Sequence, residues 1–355
     1  MPKQIKGRGA HKDLQNRFLE ERIAYHPDEE TGQLPNPQTQ FIKDRSKSIL
    51  TKNNSPDISF SYSLNPYRGC EHGCVYCYAR PTHEYLGYSP GLDFESKIMV
   101  KEQAPELLKN ELSAKSWNPQ TIAMSGVTDC YQPIEKKLKI TRGCLEVFRD
   151  FRNPVAIITK NHMVFRDVDI LHEMAMFDAC RVYISITSLD SELASTMEPR
   201  TSRPHKRLEA IRRLTNAGIP VGVMVAPVIP GLNDHEMVSI LNKAKEHGAQ
   251  FASYVMLRLP HSVKEIFKSW LQQQKPHSAS KVLNRIKSVR EGNLNSVTFG
   301  ERMRGKGPYA AQIKQQFNIE VVKLGLNSGK KPLSIENFKV PDDIKNEGTN
   351  QLQLF

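Results

Sequence analysis

Cysteine is scarce, with six in 355 residues. That excludes the disulfide framework of a small secreted domain. Long apolar runs are also lacking. No stretch reaches the roughly 18 apolar residues that a bilayer-spanning helix needs. Met1 to Lys12 is polar and basic, without the apolar core of a secretory signal, so the chain is expected to work in the cytoplasm with no membrane partner. There is no internal repeat at solenoid periods. Hydrophobic residues nevertheless make up 39%, enough for a sizeable core and against wholesale disorder.

Acidic residues are scarce in one region. From Leu257 to Lys331, fifteen Lys and Arg face four acids, nearly the whole excess behind the chain's net charge of +12. Such a local surplus suggests an anionic partner such as nucleic acid. A solvated basic surface accounts for it equally on charge alone.

Residues 1–57 read as a polar N-terminal extension, with a short helix over Asp13–Tyr25 and a linker around Pro27–Gln40. From Ile58 the pattern predicts strands at Ile58–Leu64, Thr121–Ser125, Val155–Thr159, Arg181–Ile186, Val221–Val225 and Ala252–Leu257. Between them lie helices at Glu102–Ser113, Lys139–Asp150, Arg166–Met176, Ser202–Ala217 and His235–His247, the fourth stopping at Gly218. This alternation over residues 58–260 predicts an α/β fold with a parallel sheet and right-handed crossovers. A partial (β/α)6 TIM-like barrel fits the count, and a doubly wound open sheet fits almost as well. In both, the chemistry sits at the C-terminal strand ends. Residues 261–331 read as a basic C-terminal extension, with helices at Lys264–Gln274, Ser280–Arg290 and Ala310–Phe317 around a Gly- and Arg-rich loop, Thr298–Tyr309. Residues 332–355 read as a polar tail.

The densest chemistry lies in Asn65-Pro-Tyr-Arg-Gly-Cys70-Glu-His-Gly-Cys74-Val-Tyr-Cys77-Tyr. Three thiolates spaced C-x3-C-x2-C can hold three irons of a cubane, whereas ordinary ferredoxin clusters use four. The missing ligand leaves one iron open, and an open position makes a metal site catalytic. A zinc site of these cysteines with His72 or His83 is the structural alternative, but no second Cys pair follows. A redox pair of Cys74 and Cys77 would leave Cys70 unexplained. Cys130, Cys144 and Cys180 are scattered, and Cys180 reads as a small core residue.

The triplet, with Tyr76 just before its last cysteine, resembles the hallmark of the radical S-adenosylmethionine (SAM) superfamily. Asn65 through Arg80, Thr128-Asp129 with Tyr131–Glu135, Met197–Arg200 and Pro227–Gly231 are similar to the spore-photoproduct-lyase-related, DNA repair photolyase-like group. The resemblance covers roughly residues 58–260. It implies a [4Fe–4S] cluster on Cys70, Cys74 and Cys77, with SAM on the open iron. It also implies reductive cleavage of SAM to a 5′-deoxyadenosyl radical, and a low-potential electron donor such as a flavodoxin or ferredoxin. Tyr76 would lie against the adenine. Cys130 stands where the group's pattern has proline. The hydrogen-donating cysteine of the lyase itself maps near Gly126, so that role does not transfer.

By the same resemblance the loop of Ser125, Gly126, Thr128 and Asp129 contacts the methionine part of SAM, and Pro230–Gly231 cradles the adenine. Lys160 ends the third strand and Ser185 the fourth, and Arg200 offers a fork for the SAM carboxylate. Turn chemistry and capping are the structural alternatives for each. The expected function is radical SAM chemistry on a substrate that includes nucleic acid among its candidates. Arg302, Arg304 and Lys306 would contact phosphate and Tyr309 a base. The rival is a nucleic-acid-binding module whose cysteine site is structural or senses redox state.

Overall fold

The computed structural model describes residues 5, 7–10, 14–19, 38–342 and 344. Its centre is a sheet of six parallel strands: β1 (Tyr62–Leu64), β2 (Ile122–Met124), β3 (Val155–Thr159), β4 (Cys180–Ser185), β5 (Val221–Val228) and β6 (Phe251–Met256). They lie side by side in chain order. A doubly wound sheet reverses its order at a switch point, so the sequential order selects the barrel. The barrel is partial, because β6 and β1 do not pair and Leu50–Lys52 adds antiparallel to the outer side of β1.

Parallel neighbours require crossovers, and helices supply them: Ala104–Ser113, Ile140–Phe151, Val168–Ala175, Pro204–Asn216 and Met237–Glu246. Ile140–Phe151 shows why these segments are helical. Ile140, Cys144, Leu145, Phe148 and Phe151 recur at helical spacing and are all buried. Pro204 opens the fourth crossover helix at a position that lacks an N–H partner anyway. Gly218, at φ 77°, ends it in the left-handed conformation. Gly222 lets β5 approach β4, since a Cβ there would lie 2.6 Å from the Tyr183 ring.

Two further features frame the C-terminal strand ends. A small sheet joins Gln40–Lys43, Lys97–Val100 and Tyr67–Arg68, and so braces the chain just before Cys70. A second apolar cluster packs Cys74, Val75 and Tyr76 with Met197, Ile229, Leu257, Val263, Phe267, Trp270, Val282 and Ile286. The helices Val263–Gln274 and Ala279–Ser288 therefore form a wall against the cysteine loop. Helix Pro308–Lys323 joins the main core through Ala310, Ile313, Phe317 and Val321.

The expected helix Arg166–Met176 is two elements, a 3-10 turn His162–Asp167 and then Val168–Ala175. Of the expected helix Asp13–Tyr25, residues 14–19 are irregular with a turn at Arg17 and Phe18, and the rest lies outside the described residues. No helix among the described residues is long and apolar enough to cross a membrane.

Candidate active site

The cysteine loop leaves β1 toward the barrel mouth and is held on every side. Asn65 Oδ1 accepts from the backbone of Gly126, Val127 and Thr128 at 2.9, 3.0 and 3.4 Å, tying this loop to the one after β2. Cys70 N donates to Phe94 O at 2.8 Å and Val75 N to Met197 O at 3.0 Å. Glu71 N donates to Gln132 Oε1 at 2.9 Å, and Glu71 Oε2 accepts from Ile134 N at 2.8 Å. Gly69 and Gly73 take positive φ, where a Cβ at Gly73 would lie 2.7 Å from Glu95 Oε2.

Cys70 and Cys74 are buried, Cys77 is half-buried, and all are free thiols. Burial pushes all three pKa values up, and mutual repulsion adds to this for Cys70 and Cys74. Three thiolates this close in a dry loop call for a polycationic partner, which is what an iron–sulfur core provides. Three thiols can ligate three irons of a cubane and leave the fourth open, so the donor set fits the cluster.

Next to the loop, the ends of β3, β4 and β5 meet in a buried polar network. Lys160 Nζ donates to Ser185 Oγ at 2.8 Å, Thr187 Oγ1 at 3.1 Å and Ala226 O at 2.9 Å. It lies 3.3 Å from Glu198 and 5.6 Å from the Tyr76 ring centroid. Burial, with Arg207 adding to it, lowers the Lys160 pKa to about 7. Tyr76 donates its hydroxyl to Glu198, which also pairs with the buried Arg207. Burial raises the Glu198 pKa, against the pull of Arg207. Thr187, Glu198 and Arg207 carry no local sequence signal for this role. Their partners lie up to 122 residues away in the chain.

The other expected residues are placed as follows. Ser125, at φ 78°, accepts from Cys130 N at 2.9 Å. Gly126 O accepts from the Tyr78 hydroxyl, and Thr128 Oγ1 donates to Tyr67 O at 3.3 Å. Asp129 accepts from Thr159 Oγ1 at 2.7 Å, Lys160 N at 2.8 Å and Tyr131 N at 2.9 Å, and lies 3.4 Å from His72. Burial pushes its pKa up, yet His72 and these donors hold it below the usual value. The Pro230–Gly231 turn follows β5, where Gly231 N donates to Asp234 at 2.9 Å. Asn233 precedes the 3-10 turn Asp234–Glu236 without a side-chain cap bond to it. It braces the Pro230–Gly231 turn through Ile229 N, Thr187 O and Pro227 O. Arg200 reaches Glu71 and Thr39 through Nη1 alone, at 3.4 and 3.5 Å, and its side chain stays 30% exposed.

The Gly- and Arg-rich loop finds partners within the chain. Arg302 pairs with Asp57 and Ser55, and Arg304 donates to Tyr254 O at 2.7 Å and lies over that ring. Lys306 pairs with Glu291 at 2.6 Å and Glu301 at 3.2 Å, and Tyr309 donates to Asp234. Arg302 and Arg304 are thus engaged inside the fold, while Lys306 sits in an ion pair at the surface. Long side chains close to acids and carbonyls pair first with what the fold brings to them.

Comparison with known proteins places this geometry. The family model described as the radical SAM superfamily matches residues 64–244. An uncharacterised protein of Mycobacterium tuberculosis is 35% identical over 238 residues, which is 66% of this chain and 70% of the relative. Spore photoproduct lyase of Bacillus subtilis is 26% identical over 203 residues, 55% of this chain and 53% of that one. A solved structure of a spore photoproduct lyase mutant with bound AdoMet and dinucleoside spore photoproduct superposes with TM-score 0.55 at 17% identity, covering 81% of this chain and 80% of that one.

Proposed function

Because the chain belongs to the radical SAM superfamily, and so is an enzyme using a [4Fe–4S] cluster and SAM, we propose that Cys70, Cys74 and Cys77 hold the cluster and the adjoining strand ends hold SAM. Bound there, the two supply reductive cleavage of SAM by one electron to methionine and a 5′-deoxyadenosyl radical, which removes a hydrogen atom from the substrate.

The observation that carries this reading is the network joining Tyr76 of the cysteine loop to Lys160, Ser185 and Thr187 at the ends of β3 and β4. To meet the SAM carboxylate, Lys160 in its protonated form would exchange one of its hydroxyl partners, Ser185 or Thr187, for a charge-assisted bond. Glu198 fixes the Tyr76 ring, which borders the adenine together with the Pro230–Gly231 turn. Asp129 accepts the Lys160 backbone N–H and so positions that lysine. The loop from Ser125 to Thr128 borders the methionine part. The apolar wall of residues 263–286 excludes water from the radical. The electron comes from a flavodoxin- or ferredoxin-type donor, and the enzyme works in the reducing cytoplasm.

The favoured substrate class is nucleic acid. The basic surplus of residues 257–331 supports it, as does the related lyase, whose structure holds a dinucleoside photoproduct.

The test is anaerobic reconstitution with iron and sulfide, followed by SAM and a strong reductant. Wild type should hold four irons per chain, as one cubane, and form 5′-deoxyadenosine. Cys70→Ala, Cys74→Ala and Cys77→Ala should each lose the cluster, while Cys144→Ala and Cys180→Ala keep it. Zinc as the sole metal of anaerobic preparations would sink the reading.

A further inference from the structure

The rim beyond β6 carries four arginines, Arg258, Arg290, Arg302 and Arg304. Three of them are engaged. Arg302 and Arg304 have the partners given above, and Arg290 donates to Leu257 O at 2.7 Å and Glu301 O at 2.9 Å. Arg258 differs. Its Nε is buried without an acceptor, as is that of Arg290, but Arg258 also lacks any oxygen acceptor, since its Nη1 reaches only the weakly accepting Met303 Sδ at 3.8 Å. No carboxylate of the described residues pairs with it. Burial lowers its pKa and Arg302 adds to this, with Tyr78 and Asp57 opposing.

Arg258 lies two residues past the end of β6, on the C-terminal rim where the radical site opens. Its guanidinium stands 5.1 Å from the ring centroid of Tyr78. Tyr78 follows Cys77 directly, is 48% exposed, and bonds to Gly126 in the loop after β2. The exposed ring of Phe299 lies 4.5 Å from the Arg302 guanidinium on the same rim. A partly desolvated cation without a counter-ion is unfavourable unless something anionic completes it.

We infer that Arg258 and Tyr78 form a substrate subsite that takes a phosphodiester of single-stranded nucleic acid, beside a base stacked on the Tyr78 ring. The inference rests on the nucleic-acid reading above and names where that substrate is held. The flanking rings favour this ligand over a protein carboxylate. Bases stack on aromatic faces while the adjoining phosphate takes the two-pronged guanidinium.

Anisotropy of a labelled single-stranded oligodeoxynucleotide, titrated with iron-loaded enzyme across a salt series, tests it. Arg258→Gln should weaken binding about tenfold and lower the log–log salt slope by about 0.7, the value of one phosphate contact on a single strand. Arg258→Lys should keep the slope and lose part of the affinity, because the charge stays while the fork goes. Wild-type affinity and slope in Arg258→Gln would overturn the subsite and leave the nucleic-acid reading intact. Should that variant not fold, wild-type affinity in Arg258→Lys overturns it instead. If heparin displaces the oligonucleotide from wild type at matched charge, the nucleic-acid reading itself falls and takes this ligand with it. SAM cleavage by wild type, measured separately, is untouched by either failure.

Discussion

Replacing Glu95 by Gln removes one charge from beneath the cysteine loop. Glu95 is fully buried and pairs with Arg80, which is also fully buried. Its carboxylate accepts from Gly9 N at 2.9 Å and Ala10 N at 2.8 Å. Arg80 in turn donates from Nε to Cys74 O at 3.0 Å and from Nη1 to Pro90 O and Gly91 O at 3.2 and 3.0 Å. A single chain of bonds thus runs from the N-terminal segment through Glu95 and Arg80 to the backbone of a cluster ligand. The contact is tight, for a Cβ on Gly9 would lie 1.7 Å from Gly73 O. Gln keeps the volume and one acceptor oxygen, but leaves Arg80 uncompensated and at least one backbone N–H without its acceptor. Breaking a buried pair from one side costs about 3–5 kcal/mol. An orphaned N–H adds about 1–3 kcal/mol, offset as residues 7–10 lift into water. The expected net loss is about 3–5 kcal/mol in denaturant unfolding of the apoprotein. Iron-loaded Glu95→Gln should also give up its iron to a chelator faster than wild type. Adding Arg80→Met should recover part of the loss, since an apolar pair carries no stranded charge. A single variant within about 1 kcal/mol of wild type, with iron released at the wild-type rate, would refute this account of what holds the loop.

Two other measurements bear on the site and its surroundings. Lys160→Met should weaken SAM binding to the iron-loaded enzyme by about 1.5–3 kcal/mol, the worth of a charge-assisted hydrogen bond. Unchanged affinity by equilibrium titration would move the carboxylate contact elsewhere. His83 is buried between the rings of Tyr88 and Phe94, and burial lowers its pKa to about 4. Below the unfolded value of about 6.5 the unfolded chain binds a proton that the native one refuses. Stability should therefore fall by about 3 kcal/mol as pH drops from about 6.5 to about 4. His83→Gln should flatten this slope, and an unaltered slope in that variant would assign the acid sensitivity to other groups.

What the sequence makes legible divides by range. Val155–Thr159 appears as a strand to the residue, because a β-branched run is bounded by Asn153-Pro154 and Lys160-Asn161. The cysteine triplet is equally plain, since its chemistry is its spacing. Strands Gln40–Lys43, Leu50–Lys52 and Lys97–Val100 give no such signal. They have three or four residues each, and the first two are largely exposed, so alternation cannot develop and the one apolar run, Ile98–Val100, is too short to mark a strand. Helix Ser191–Met197 has one local cue, Asp190, which caps it by accepting from Glu192 N and Leu193 N. Seven residues are too few for periodicity to speak. The partners that build the site are invisible in a different way. Glu198 finds Tyr76 and Lys160, and Glu95 finds Gly9 and Arg80, only through the fold.

The basic surplus joins the two ranges. Its sum is readable from residues 257–331, but its availability is not, because the fold pairs charges that composition merely counts. Asp57 sits about 245 residues before Arg302 and neutralises it, and Glu291 and Glu301 take Lys306. The Gly-rich loop that looks most like a phosphate site in one dimension is therefore the part already engaged in three. Arg258 sits in an unremarkable Leu-Arg-Leu-Pro stretch at the end of β6, and keeps a guanidinium that no acid of the described residues pairs with directly. Surplus charge becomes a candidate binding site where internal pairing fails, and on this rim it fails beside Tyr78, next to the last cluster cysteine.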